Sequence, residues 1–410
     1  MKSIITLTLG GAVFVLSSGL AHADTIRVRA GGSIQAAVDA AASGDTIVCE
    51  RGTFTENVVV SGKTDLKIVA RGATIQAADE ANASLTVQGC SNVRVSGVKV
   101  EGGSGGCVRL NDCHGLAMSG TRIHATAGAG VAATTCQNVS VTNCVVAGGS
   151  AGTSLNACNG VRVSRCRLTA TAGAAVDSAA CAAVKIENNA CAGAGAPAIQ
   201  MTTDASAGAC AAVVVGNRCT GGTGGVSVTT ATSCDVHSNV VSNCGGDGIS
   251  VTANGDASGC VVVGNRVRNC GDDGIAVSGG SNCQVMRNVV SIAVSVGIRV
   301  SGSAAVVGRN RVARCGGDAL VVDTQGATIE GNAVAHAGGD GIVISGDDNS
   351  VHQNQVSAAA DAAVQIDASA SGNVVGGNTS SGSGSTLDDQ AAAGANTIIN
   401  GGVTLILGGL

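Results

Sequence analysis

The sequence predicts an all-β solenoid, a parallel β-helix of about 13 coils of 22–23 residues each, laid over residues 61–378. Two registers and one compositional fact predict it. The first register is apolar-x-apolar-x-Asn. Its markers are Gly97, Gly120, Asn143, Arg165, Asn188, Asn217, Asn239, Asn265, Asn288, Asn310, Asn332, Asn354 and Asn378, with steps of 22 or 23 residues at most joints. The second register is Cys90, Cys113, Cys136, Cys158, Cys181, Cys210, Cys234, Cys260 and Cys283, and it lengthens with the first, at 29 and again at 26 residues. Two columns that stretch together report one coil length. The compositional fact is a chain of 410 residues with 63 Gly, 1 Pro, no Trp, no Tyr and 2 Phe. A core that does without large rings must be narrow and regular, as repeat proteins build it.

Residues 1–23 read as a signal peptide: Lys2, the apolar run Ile4 to Leu16, and a small-x-small site at Ala21-His22-Ala23. The chain is therefore expected to be secreted, periplasmic or on the cell surface, and its 18 Cys, all after the leader, would meet an oxidising compartment. Residues 24–60 are expected to form an N-terminal cap and the first strands. Ser33 is placed as the N-cap of a short amphipathic helix that leads into Gly44-Asp45-Thr46-Ile47-Val48. Such a cap keeps the first strand edge from recruiting other chains.

Inside the repeats, Gly248-Ile249-Ser250-Val251, Gly274-Ile275-Ala276-Val277, Gly297-Ile298-Arg299-Val300 and Gly341-Ile342-Val343-Ile344 alternate with period two and are bounded by turn residues. They read as short strands that pair only with the coil above and below, about 4.8 Å away. The Asn column has a mechanical role in this reading. Asn tolerates the left-handed backbone of a sharp bend, and stacked amides bond up and down the column. At the far end, residues 379–410 are expected to hold a Ser/Gly-rich loop followed by a terminal strand or cap.

The turn before each Asn, the Gly-Asp-Gly-Ile strand start, the coil period and the helix at Ser33–Ala41 resemble the right-handed parallel β-helix repeats of pectin-lyase-like proteins. That resemblance implies the handedness, the role of the helix as a cap, and carbohydrate as the ligand class.

Chemistry has few candidates. The Cys column reads as stacked buried thiols, as inter-coil disulfides, or as a soft-metal row. The last needs convergent ligands, and no Cys-x-x-Cys occurs. The acidic row Asp247, Asp272, Asp273, Asp318 and Asp340 precedes strand starts, and carboxylates on adjacent coils raise one another's pKa and can share acid and base roles. Gly271-Asp272-Asp273-Gly274-Ile275 resembles the double-Asp motif of polygalacturonases. The following coil carries Ser295-Val296-Gly297 where those enzymes have Gly-His-Gly, and only Arg299 stands where a substrate carboxylate would be held. The candidate catalytic set is thus Asp247, Asp272 and Asp273 with Arg299. A lyase would add Ca²⁺, and no other cofactor or metal is expected. Epimerases of this fold use Tyr and His, and the chain has no Tyr.

The net charge is −5 with 12% charged residues, and with so few aromatics neither a basic footprint nor a stacking platform for nucleic acid is expected. No run after the leader is long enough to span a bilayer as a helix. The functional expectation is an exported, non-catalytic scaffold that binds polysaccharide or a surface protein. The alternative is a pectinase-like hydrolase or lyase using the acidic row.

Overall fold

The computed structural model describes residues 5–9, 12–16, 23–103, 105–203 and 212–405. From Thr25 onward every strand pairing is parallel, and three strand files wind into a right-handed solenoid of about sixteen turns. One coil shows the plan. Leu85–Gln88 belongs to the first file, Arg94–Ser96 to the second and Lys99–Glu101 to the third. The next coil repeats it with Val108–Asn111, Ala117–Ser119 and Arg122–His124, in register residue for residue. Ile5–Leu9 and Ala12–Leu16 pair with each other as a separate antiparallel ribbon.

The alternation seen in sequence sets the inside and outside of every strand. In the first file Leu85, Val87, Val108, Leu110, Val131, Ile249, Val251, Ile275, Val277, Ile298 and Val300 are all buried. Successive side chains of a strand point to opposite faces, so these residues form continuous apolar columns down the axis. Phe54 is buried, and the rest of the core is Val, Ile, Leu, Ala, Met and Cys.

The expected cap helix is present as Ile34–Ala40, with Ser33 as N-cap. The Ser33 hydroxyl accepts the Ala36 N–H at 3.1 Å, and the Glu56 carboxylate accepts the N–H groups of Ile34 at 2.7 Å and Gln35 at 3.2 Å. A carboxylate there complements the positive end of the helix and satisfies two orphan donors. Ile34, Ala37 and Val38 are buried against the core.

Three expectations need correction. The stack has about sixteen turns rather than 13. Coils before Gly97, such as that of Thr46–Cys49, Gly52–Thr55 and Val58–Ser61, carry no Asn at the corner and so escaped the register. Asn143, Arg165 and Asn188 do not share a column with Asn217 and its successors. They are the left-handed corner residues, with φ of 52°, 55° and 54°. Later coils fill that corner position with Gly216, Ser238, Gly264, Arg287, Arg309 and Gly331, and the stacked Asn is one residue on. The Ser/Gly-rich run at 379–386, expected as a loop, contributes strands: Val374–Ser381 pairs with Gln355–Ser357, and Ser385–Asp389 with Ala362–Ile366. Small polar residues still make a strand where a preceding strand offers a complete set of partners.

Candidate functional site

Two of the three corners place an inward side chain that receives the backbone N–H of the preceding coil. At the corner between the second and third files this residue is Asn from Asn189 to Asn378. The backbone N–H of Asn239 donates to Oδ1 of Asn265 at 2.9 Å, and its Nδ2 donates to the same oxygen at 3.0 Å and to the Val214 carbonyl at 2.8 Å. The same set repeats at Asn265, Asn288, Asn310 and Asn332. Cys144 and Cys166 head this column, and the Cys166 N–H donates to Oδ1 of Asn189 at 2.8 Å.

The corner between the first and second files carries the Cys register, but as two columns rather than the one expected. Cys90, Cys113, Cys136, Cys158 and Cys181 stack together, and Cys234, Cys260 and Cys283 stack three residues further along the coil, in line with Val184 and Ala212. The N–H groups of Cys113, Cys136 and Cys158 reach the sulfur of the next coil at 3.3–3.4 Å. The thiols of Cys113 and Cys136 in turn donate to the carbonyls of Val87 and Leu110 on the coil before. Cys210 lies outside the described residues. The seventeen described cysteines are free and buried. Cys244 and Cys270 face each other with sulfurs 3.0 Å apart. Burial pushes the Cys107 thiol up to about 12 and Cys49 up to about 11, which keeps both protonated and unreactive at neutral pH.

The acidic row is a third column, with the opposite sense: each stacked Asp receives an N–H from the following coil. It sits at the corner that leads into the first file. Asp247 Oδ1 accepts the N–H of Asp273 at 3.2 Å, and Asp273 Oδ1 accepts the N–H of Val296 at 2.9 Å. Two and three coils further, Asp318 Oδ1 accepts from Asp340 at 2.8 Å and Asp340 Oδ1 from Ala362 at 2.6 Å. The glycine after Asp247 and after Asp273 is fixed by packing, whereas Asp318 is followed by Ala319. A Cβ on Gly248 would overlap Val267 and the Gly274 carbonyl, and one on Gly274 would overlap Val290 and the Gly297 carbonyl. Gly-Asp-Gly-Ile at 246–249 and 339–342, and Asp-Asp-Gly-Ile at 272–275, are therefore first a signature of this corner.

Among the candidate catalytic residues, the fold brings Asp247, Asp273 and Arg299 together. Asp273 is 6% exposed, and its second oxygen takes Nε of Arg299 at 2.8 Å. Burial first, then the Asp273 charge, push the Asp247 carboxyl above its ordinary value. Burial does the same to Asp340. Asp272 is exposed at the surface of the same turn. Arg299 points outward from the first file, paired in register with Ala276 and Val321. The described histidines lie elsewhere: His114 at the corner between the first two files, His237 and His352 in the second file, His124 and His336 in the third. The two longer coils carry their extra residues at 202–206 and 252–258, and the first of these segments is described only through Thr203. The one at 252–258 continues the strand Ile249–Ser258.

Sequence reading missed a basic column on the outside of the third file. Register pairs Arg122, Val145, Arg167, Ala190, Arg218, Val240, Arg266, Val289, Arg311 and Ala333 in that order, so that arginine alternates with a small aliphatic residue. Arg218, Arg266 and Arg268 line a groove of about 540 Å³ with Asn243, Asn269 and Ile292. A second hollow with Arg266, Arg268 and Arg314 adjoins it. The signal was present in the residue that follows each stacked Asn: Asn217-Arg218, Asn239-Val240, Asn265-Arg266, Asn288-Val289 and Asn310-Arg311.

Comparison with known proteins bears on the fold. The profile of a periplasmic copper-binding protein family (NosD) matches residues 199–334. A copper centre does not fit the donors here: among the described residues no three of His, Cys, Asp and Glu converge as metal ligands. No curated protein matches the sequence. Among solved structures, the siphovirus 9NA tailspike receptor-binding domain is similar at 13% identity, with 94% of this chain and 77% of that chain covered and a TM-score of 0.43. The catalytic unit of a GH87 α-1,3-glucanase from Streptomyces thermodiastaticus is similar at 15% identity, with 94% and 68% covered and a TM-score of 0.40. A periplasmic alginate epimerase follows at 11%, with 93% and 84% covered and a TM-score of 0.43. The profile described as right handed beta helix region matches residues 83–210 and 296–402, more than half of the sequence, and the chain belongs to that family.

Proposed function

We propose that this chain is an exported, non-catalytic β-helix that presents its outer surface to a polysaccharide or a surface protein. The observation that supports this most is the occupancy of Asp273. One oxygen holds the next coil through the Val296 N–H and the other is paired with Arg299. A general acid or base must be aimed at substrate, and here one oxygen of Asp273 serves the backbone of the next coil while the other holds Arg299. Asp247, Asp318 and Asp340 each give one oxygen to the same purpose. The reading of residues 1–23 as a leader and the periplasmic family matched over 199–334 favour a place outside the cytoplasm. No helix among the described residues is long and apolar enough to cross a membrane. The proposal requires no cofactor.

A second reading, a polysaccharide hydrolase or lyase, is favoured by one observation: Asp247, raised by burial, lies one coil from exposed Asp272. The two are separated by incubating the protein with acidic polysaccharides and measuring reducing ends and unsaturated uronate absorbance. Retention of polymer with no new ends is expected. New ends that disappear in Asp272→Ala, a surface change that leaves the stack intact, would establish the enzyme reading instead.

A further inference from the structure

We infer that the alternating arginine column on the third file is a binding surface for a linear polyuronate, an acidic polysaccharide laid along the solenoid axis. The inference rests on the non-catalytic binding reading and gives it a place and a ligand class.

The geometry starts from the coil spacing. Strands in register stand about 4.8 Å apart, so arginines on every second coil recur at about 10 Å, and Arg122, Arg167, Arg218, Arg266 and Arg311 span about 40 Å. Arginine on every coil would set like charges directly opposite one another, which is destabilising. Alternation removes that clash and leaves a periodic row of cations. All five are exposed, and none makes an ion pair among the described residues. The outward positions of the third file from Arg218 to Arg314 hold Arg, Asn, Ser, Thr, Val, Ile and Ala and no carboxylate, although the whole chain carries a net charge of −5. Positive charge is thus gathered on the outer face of the file itself, and Asp247, Asp272, Asp273, Asp318 and Asp340 lie beyond the C-terminal ends of its strands, in the turn into the first file. The groove beside Arg218, Arg266 and Arg268 adds the amides of Asn243 and Asn269, which suit hydroxyl groups.

The spacing selects the ligand. A two-fold ribbon of linked uronic acids carries carboxylates on one edge once per two rings, as the arginines recur once per two coils. The guanidinium fork pairs with a carboxylate bidentately, and the valines and alanines between the arginines offer flat contact to the sugar rings. A nucleic acid strand fits worse. Its phosphates recur about every 3.4 Å along a duplex strand, leaving most unpaired, and single strands need ring stacking that this face lacks.

The test measures binding of the protein to an oligo-uronate, a neutral glucan and a single-stranded oligonucleotide of equal charge, at low and raised salt. The wild type is expected to prefer the oligo-uronate. Arg218→Ala, Arg266→Ala and Arg311→Ala combined should weaken it by about tenfold or more. A charge-neutral rearrangement, Val240→Arg with Arg266→Val, should weaken it as well, because the spacing is lost while the charge is kept. Circular dichroism confirms that both remain folded. Equal binding by wild type and both variants, or preference for the oligonucleotide, would overturn the inference. Reducing ends measured in the same samples report separately on the non-catalytic reading. Their appearance would sink that reading, while the arginine dependence of binding still decides the surface.

Discussion

The two inward corner columns solve one problem with different side chains. Between the second and third files the stacked residue is Asn from Asn189 to Asn378, headed by Cys144 and Cys166. Between the first and second files it is Cys in the early coils, and in the late coils a separate column three residues further on carries Asn, where Asn349 Oδ1 takes the Ala327 N–H and Asn373 Oδ1 takes that of Asn349. Both side chains accept an N–H from the previous coil and donate to a carbonyl on it. The Asn version is closer, at 2.8–2.9 Å against 3.3–3.4 Å for sulfur, and adds an amide-to-amide bond that a thiol lacks. The corner therefore selects an acceptor-donor of small size rather than a particular residue, and strength follows the chemistry of the group.

The comparison breaks most visibly at the Asn end. Asn265→Ala removes the oxygen that two groups of Asn239 use and the donors to Val236 and Asn288, leaving buried polar groups unpaired. A loss of about 3 kcal/mol or more is expected in denaturant unfolding. Cys136→Ala strips only a weak acceptor and a small volume, and about 1 kcal/mol is expected in the same measurement. Cys166→Asn sharpens the point by extending the amide column one coil upward. Its new amide would meet the Val141 carbonyl, which the thiol reaches at 3.5 Å, and a change between zero and a gain of about 1 kcal/mol is expected.

The acidic column gives the smallest and most pH-dependent effect. Asp247 has a folded pKa raised by burial and by Asp273. A group that holds its proton more tightly when folded contributes fully below its unfolded pKa, and the contribution is lost as pH rises through the folded value. Asp247→Asn keeps the acceptor for the Asp273 N–H and removes that loss. It should match the wild type in acid and equal or exceed it, by under about 1 kcal/mol, at neutral pH. Asp247→Ala removes the acceptor and should be less stable than Asp247→Asn at every pH, measured by thermal unfolding across the range.

Much of this was legible in the sequence because the stacking is in register. Identical environments at equal spacing select identical residues, and Asn239, Asn265 and Asn288 announce themselves. The capping helix was legible from Ser33 and its apolar face. The coil count was not, because the first coils fill the corner with Leu66, Val93 or Val98 and leave no polar mark. The nearness of Asp247 to Asp273 was legible, and their role was not. What occupies them is backbone N–H, which every residue but proline owns and no letter of the sequence displays. The arginine column was written in the residue after each Asn and hidden by its two-coil period, since a search for one repeat length discards alternation.

The central claim is that each stacked Asn or Cys side chain holds the backbone of the coil before it. Amide hydrogen exchange in Asn265→Ala tests that directly. The account predicts that the Asn239 amide, which donates to Asn265, loses protection while that of Asn288, which donates to Asn310, keeps it. Unchanged protection at Asn239, or equal loss at both, would contradict it.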